Sequence, residues 1–448
     1  MVVAGAAPLT VVGGVMPIAF NAGNGAGVPT AFIAAAVVLL LFVVGFTAMT
    51  PYVRSAGAFY AYVQTGLGRS FGIGTGYAAL VTYLIIYTGV YALMGTGIQA
   101  MVVSFGGPDI VWWVWALVAF VVANLLGYRN INVSGRVLTV LLVAEVLIVI
   151  VLDAVIIFSG GGEQGFSTGF LNPAVVLAGA PGLALLFALL SFIGFEATAV
   201  FRDEARDPER TIPRATYLAV IFVGLFYAVT AWVIVSAIGD KNIVEAGASG
   251  TMLADLSTQY LSKVGADIVG VLYVTSVFAC LLTFHNVVAR YLYSLSSRRL
   301  LPERMAVAHP KFGSPNRASL VAGAATLVLL VIVIIAGLDP LAEFYTWFSG
   351  FGSVGYATLL TMTSIAVIAF FRKRRDLNVS VWRSVVAPVV ALLSLVAFLV
   401  LIGANILLLT GGSAVVAIIV VVLLVALYLL GPIVARSRPN ASVEDLSD

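Results

Sequence analysis

Long apolar runs separated by short polar stretches organise this chain. A bilayer core about 30 Å thick takes roughly 20 apolar residues per helix. Runs of that length occur over residues 1–20, 29–49, 71–103, 110–127, 136–158, 182–201, 213–238, 265–290, 317–336, 343–371, 382–409 and 412–435. The pattern predicts an all-α membrane protein with twelve transmembrane helices. Within the loop 239–264, an amphipathic stretch from Met252 to Leu261 predicts a short helix on the outer face. Residues 436–448 are polar and read as a disordered cytoplasmic tail.

Composition and charge narrow the function classes. The chain is 61% hydrophobic and only 10% charged, against ~45–50% and ~25% in soluble domains, which excludes a soluble enzyme. A single cysteine, Cys280, and two histidines, His285 and His309, leave no disulfide and no ligand cluster, so neither a metal nor a cofactor is expected. A net charge of +3 gives no reason to expect nucleic acid. With the N-terminus placed in the cytoplasm, every basic residue except Lys241 and Lys263 falls on the inner side. Cytoplasmic loops retain positive charge, so both termini of a multi-pass plasma-membrane protein are expected inside. The chain carries no HExxH, GxSxG or P-loop pattern, and an enzyme is not expected.

Two spans contain breaks. In the first, Pro8 follows Ala6 and Ala7; it lacks a backbone N–H and biases its predecessor away from helix. In the sixth, Ser191, Phe192, Ile193, Gly194 and Phe195 lead to Glu196, a carboxyl deep in an apolar run. Irregular backbone at membrane depth survives where it is buried in protein or lines a cavity. An acid there is either functional or a brace that accepts backbone N–H bonds. Spans one and six are five helices apart, which predicts a 5+5 inverted repeat with discontinuous helices 1 and 6. The halves are 1–158 and 182–371, followed by two additional helices over 382–435. Such repeats are a design of secondary transporters, which bind substrate at the half-helix ends.

The residues around these breaks resemble the amino acid-polyamine-organocation (APC) permease family, which has the leucine-transporter-type fold. Phe192-Ile193-Gly194-Phe195-Glu196 is similar to the family's FxGFE break, and Glu204 to Pro213 to the loop that follows it. Ala56 to Tyr62 with Gly66-Leu67-Gly68, and His285-Asn286 through Arg290-Tyr291 to Pro302, extend the resemblance over most of residues 8–320. It implies a secondary active transporter of an amino acid or related amine. By the same resemblance, backbone N–H groups at the first break hold the substrate carboxylate, and carbonyls of spans one and six hold its amino group. Carried onto this sequence, that nominates Ala6, Ala7, Pro8, Leu9 and Thr10 with Ser191, Phe192, Ile193 and Gly194. Phe192 or Phe195 is either an aromatic lid or packing. The chain departs from the family in lacking its Gly-Ser/Ala-Gly triplet here. Its start also reads as shortened, because about ten residues at 1.5 Å each are needed for an inner half-helix.

Glu145 lies nine residues beyond Arg136, about 13 Å into the membrane, where many permeases of the family have lysine. A carboxyl at that depth can carry a proton, so Glu145 is the expected coupling group and H+ symport is favoured over Na+ symport. A helix–helix hydrogen bond is its other reading. Asp153, eight residues on, is expected to be solvated near the outer interface. Tyr83 and Tyr87 share a helix face and either line the cavity or pack together. Thr275, Ser276 and Cys280 are further polar positions on span eight. The small and apolar pocket favours a neutral amino acid; if Glu196 faces the cavity, a cationic amino acid or polyamine is the alternative. A non-transporting membrane sensor or scaffold is the alternative of another class.

Overall fold

Lipid offers the backbone no hydrogen-bond partner, so a spanning segment must satisfy itself, as a helix does. The computed structural model describes residues 7–53, 58–129, 135–196, 207–309 and 313–438, with backbone alone for residues 58, 135–138, 208 and 209. It is all-helical, with no β-strand among the described residues. Nine helical runs among them are long and apolar enough to cross a membrane.

One of the nine, Pro8–Tyr52, is two elements. The backbone leaves helical geometry at Gly23 and Gly25, dividing α1 (residues 8–24) from α2 (Val28–Met49). A short helix α3 (Ala58–Leu67) leads into α4 (Arg69–Ser104), α5 (Trp112–Tyr128) and α6 (Gly135–Phe158). After α6 comes α7 (Pro181–Leu190), which stops at a series of tight turns over residues 191–196. It continues with α8 (Pro208–Ile238), the short α9 (Ile243–Ala248) and α10 (Met252–Ser297). Ser262 breaks α10 with φ 67°, separating the expected short helix from Met252 onward from the spanning part. The last elements are α11 (Asn316–Ala336), α12 (Pro340–Lys373), α13 (Trp382–Ala404) and α14 (Ala414–Ser437).

The helix α4 is the axis of the bundle, with α3, α5, α10, α12 and α14 packed against it. Its buried residues run from Gly72 to Gly95. By contrast, α11 and α14 leave apolar side chains such as Val328, Ile335, Ile418 and Val422 exposed. Apolar faces of this extent suit acyl chains rather than water. The start of α1 packs between α6 and α10, and the 191–196 turns reach α4 and α12, so both breaks end inside the bundle.

Gly66 shows how closely the pieces approach. A Cβ at this position would lie 2.2 Å from the Ala366 carbonyl oxygen and 2.8 Å from its Cα, both backbone atoms of α12. Lys373 Nζ donates to the Gly66 carbonyl oxygen at 3.1 Å, fixing the same junction from the far side. Small residues permit such backbone contact between membrane helices. Gly66→Ala is therefore expected to destabilise the α3–α12 junction by about 1–3 kcal/mol, the usual range for overpacking. A lowered melting temperature of the detergent-purified protein is the readout, and an unchanged melting curve would refute the contact.

Candidate functional site

Ala7 takes a left-handed conformation, φ 39°, and Pro8 opens α1 as its first helical residue. Proline suits that position because its missing N–H is one that no helix bond would use. The following N–H groups, of Leu9 and Thr10, need partners from elsewhere. Thr10 donates its N–H to Ser276 Oγ of α10 at 3.2 Å and its hydroxyl to the same oxygen at 3.1 Å. Glu145 of α6, 3% exposed, faces the Ser276 side chain and the Leu9 backbone N–H.

Ser276 Oγ thus accepts twice from Thr10, which leaves its own hydroxyl hydrogen to turn toward Glu145. Glu145 Oε2 is buried with no partner among the described residues. A carboxyl placed at the N-terminus of α1 also meets the positive end of the helix dipole. Tyr227 of α8 and Cys280 of α10 lie close enough to interact electrostatically with it. Four helices, α1, α6, α8 and α10, thus meet at one acid.

The second break is built around Glu196. Ser191 donates its hydroxyl back to the Phe187 carbonyl oxygen at 2.9 Å, and the chain then runs through tight turns at Phe192 and Ile193. Gly194 has φ 117°, a conformation that a side chain disfavours, and donates its N–H to Glu196 Oε2 at 2.9 Å. Tyr83 of α4 donates to Oε1 at 2.5 Å, and Tyr356 of α12 donates to Oε2 at 3.2 Å. Tyr291 of α10 packs on Tyr83 with ring centroids 5.5 Å apart. Phe192 and Phe195 are both buried; the Phe195 ring meets Phe42 of α2 edge-on at 6.0 Å.

Tyr83 and Tyr87, though neighbours on one face, enter different networks. Tyr87 shares hydrogen bonds with the Tyr91 hydroxyl at 2.7 Å and His285 Nδ1 at 3.0 Å. His285 Nε2 lies 2.7 Å from Ser319 Oγ of α11. Tyr356, Tyr291 and His285 were not among the candidates drawn from the sequence. The only signal for His285 and Tyr291 was their place in a motif. Ala6 and the loop residues up to Arg206 lie outside the described residues.

Asp153 corrects an expectation. It is 7% exposed rather than solvated, because α8 runs alongside and covers it. Thr230 of α8 donates to Asp153 Oδ2 at 2.7 Å, while Oδ1 has no partner among the described residues.

The family model for amino acid permeases matches residues 2–426. Similar proteins include the low-affinity putrescine importer PlaP of Escherichia coli strain K12, 27% identical over 316 residues, 68% of this chain and 67% of the relative. The aromatic amino acid transport protein AroP of the same strain is 30% identical over 179 residues, 38% of each chain. An uncharacterized transporter of Mycobacterium tuberculosis strain H37Rv is 27% identical over 359 residues, 78% of this chain and 74% of the relative.

Proposed function

This chain belongs to the amino acid permease family, an APC-type family of transporters rather than enzymes, and from that premise we propose that it is a proton-coupled secondary transporter of a neutral amino acid. The observation that carries the coupling is Glu145, a buried carboxyl docked on the start of α1 and on Ser276 with one oxygen unpartnered. An acid in this place senses two things at once. Proton binding at Oε2 changes its charge, and movement of α1 or α10 changes its hydrogen bonds.

The proposed architecture has twelve spans. It takes α1 and α2 as separate crossings, adds α5, and adds the interrupted α7 to the long helices. Two inverted five-helix repeats, 1–158 and 182–371, then precede the pair over 382–435, and both termini lie in the cytoplasm. The breaks at residues 7–10 and 191–196 occupy equivalent places in the two repeats. Buried apolar groups at Ala7, Leu9, Phe192 and Ile193 favour a neutral substrate side chain.

A second reading of the substrate has its own support. Of the Leu9 and Thr10 N–H groups, which would hold a substrate carboxylate, that of Thr10 already serves Ser276 and that of Leu9 faces the Glu145 carboxyl. An amine without a carboxylate needs no such donors, and PlaP is a putrescine importer. Purified protein in proteoliposomes with an acidic exterior should accumulate labelled alanine, and tenfold excess unlabelled leucine should compete. If labelled putrescine accumulates instead and alanine does not, the diamine reading replaces the first. Equal uptake with and without the pH gradient would overturn proton coupling for either substrate.

A further inference from the structure

We propose that Asp153 is a second proton-binding group, which receives the proton on its way from the outer surface to Glu145. This rests on the reading of Glu145 as the coupling acid and of the α6 C-terminal end as outward. Asp153 lies five residues before Phe158, the end of α6, or about 8 Å at 1.5 Å per residue. Glu145 lies eight residues deeper on the same helix, about 12 Å further along its axis. Each acid is buried, and each has one carboxyl oxygen without a partner among the described residues.

The helix α8 supplies the connection. Thr230 is bonded to Asp153, and Tyr227, three residues earlier on the same face, lies in the electrostatic surroundings of Glu145. Thr230 and Tyr227 are both buried, and each neighbours one of the two acids, Thr230 through its bond to Asp153 and Tyr227 through its electrostatic interaction with Glu145. Hydroxyls both donate and accept, which a proton path requires. Among the described residues, the titratable groups facing Glu145 are Tyr227 of α8 and Cys280 of α10. Among the described residues, neither α8 nor α10 brings a charged side chain to Asp153, which has Thr230 as its polar neighbour.

The step involves only O–H bonds. An external proton binds Asp153, and hydroxyl and water oxygens between the acids each accept one proton and release another. Glu145 gains a proton and Asp153 returns to its carboxylate. The axial distance exceeds one hydrogen bond, so bound water completes the path. Two acids in series separate the group that meets the medium from the one that touches α1.

Asp153→Asn tests this, since asparagine can still accept from Thr230 but cannot take up a proton. In proteoliposomes, the variant is expected to lose at least tenfold in pH-gradient-driven accumulation, and its uptake rate should no longer vary with external pH. A structural role alone would leave the pH profile in place. Wild-type accumulation with a wild-type pH profile would overturn the proposal. Should Asp153→Asn fail to insert, Thr230→Val keeps the carboxyl and removes its donor. A displaced midpoint in the pH profile then supports the relay, and an unchanged midpoint refutes it. If the wild type shows no pH-driven accumulation, proton coupling itself fails, and this proposal with it.

Discussion

Glu145→Gln is expected to abolish accumulation driven by a pH gradient while leaving the protein folded. One proton crossing a gradient of two pH units supplies about 2.7 kcal/mol, enough for roughly 100-fold accumulation of a neutral substrate. Without a titrating group at this position the ratio should fall to about one, the value for an uncoupled carrier. The substitution is mild in shape. Glutamine keeps the size of the side chain and one carbonyl oxygen to face Ser276 and the Leu9 N–H. Its amide nitrogen takes the place of the unpartnered Oε2. What disappears is the capacity to bind a proton. Accumulation should be followed as labelled substrate inside proteoliposomes, alongside the melting temperature of the variant. Wild-type accumulation in the variant would show that the junction is a helix–helix clasp with no part in coupling.

The nine long helical runs were legible because lipid imposes a length and a polarity on every crossing. The breaks were legible for a similar reason: Pro8 and Gly194 are residues whose backbone properties do not depend on what surrounds them. The opposing surfaces were not. The nine residues from Arg136 set the depth of Glu145 along α6, but no spacing along the chain names Ser276 and Leu9 as the groups that face it. Tyr83 and Tyr87 show the limit of helical periodicity. A step of four residues keeps both on one face yet moves about 6 Å along the axis, and that carries one to Glu196 and the other to His285. Asp153 was misjudged because distance from a helix end measures exposure only when no neighbour extends as far. Here α8 brings Thr230 alongside.

Glu196→Ala should be the most damaging substitution for stability, and Glu196→Gln a mild one. A carboxylate only accepts, and this one faces three donors: Tyr83, Tyr356 and the Gly194 N–H. Alanine leaves all three without an acceptor in a buried site, at about 1–3 kcal/mol each. That loss is comparable with the whole stability of many proteins, so the 191–196 turns are expected to lose their shape. Glutamine can turn its oxygen to Gly194 and Tyr356, because an N–H cannot reverse its role. Its amide nitrogen then faces Tyr83, whose hydroxyl can rotate to accept. The cost of that exchange should be about 1 kcal/mol, one ordinary hydrogen bond. Melting of the two variants in detergent, with uptake measured in parallel, separates the possibilities. A large fall for alanine and a small one for glutamine identifies Glu196 as the brace that holds the second break. If glutamine melts like the wild type but transports no better than alanine, the proton on Glu196 matters, and transport depends on two titrating acids, one at each break.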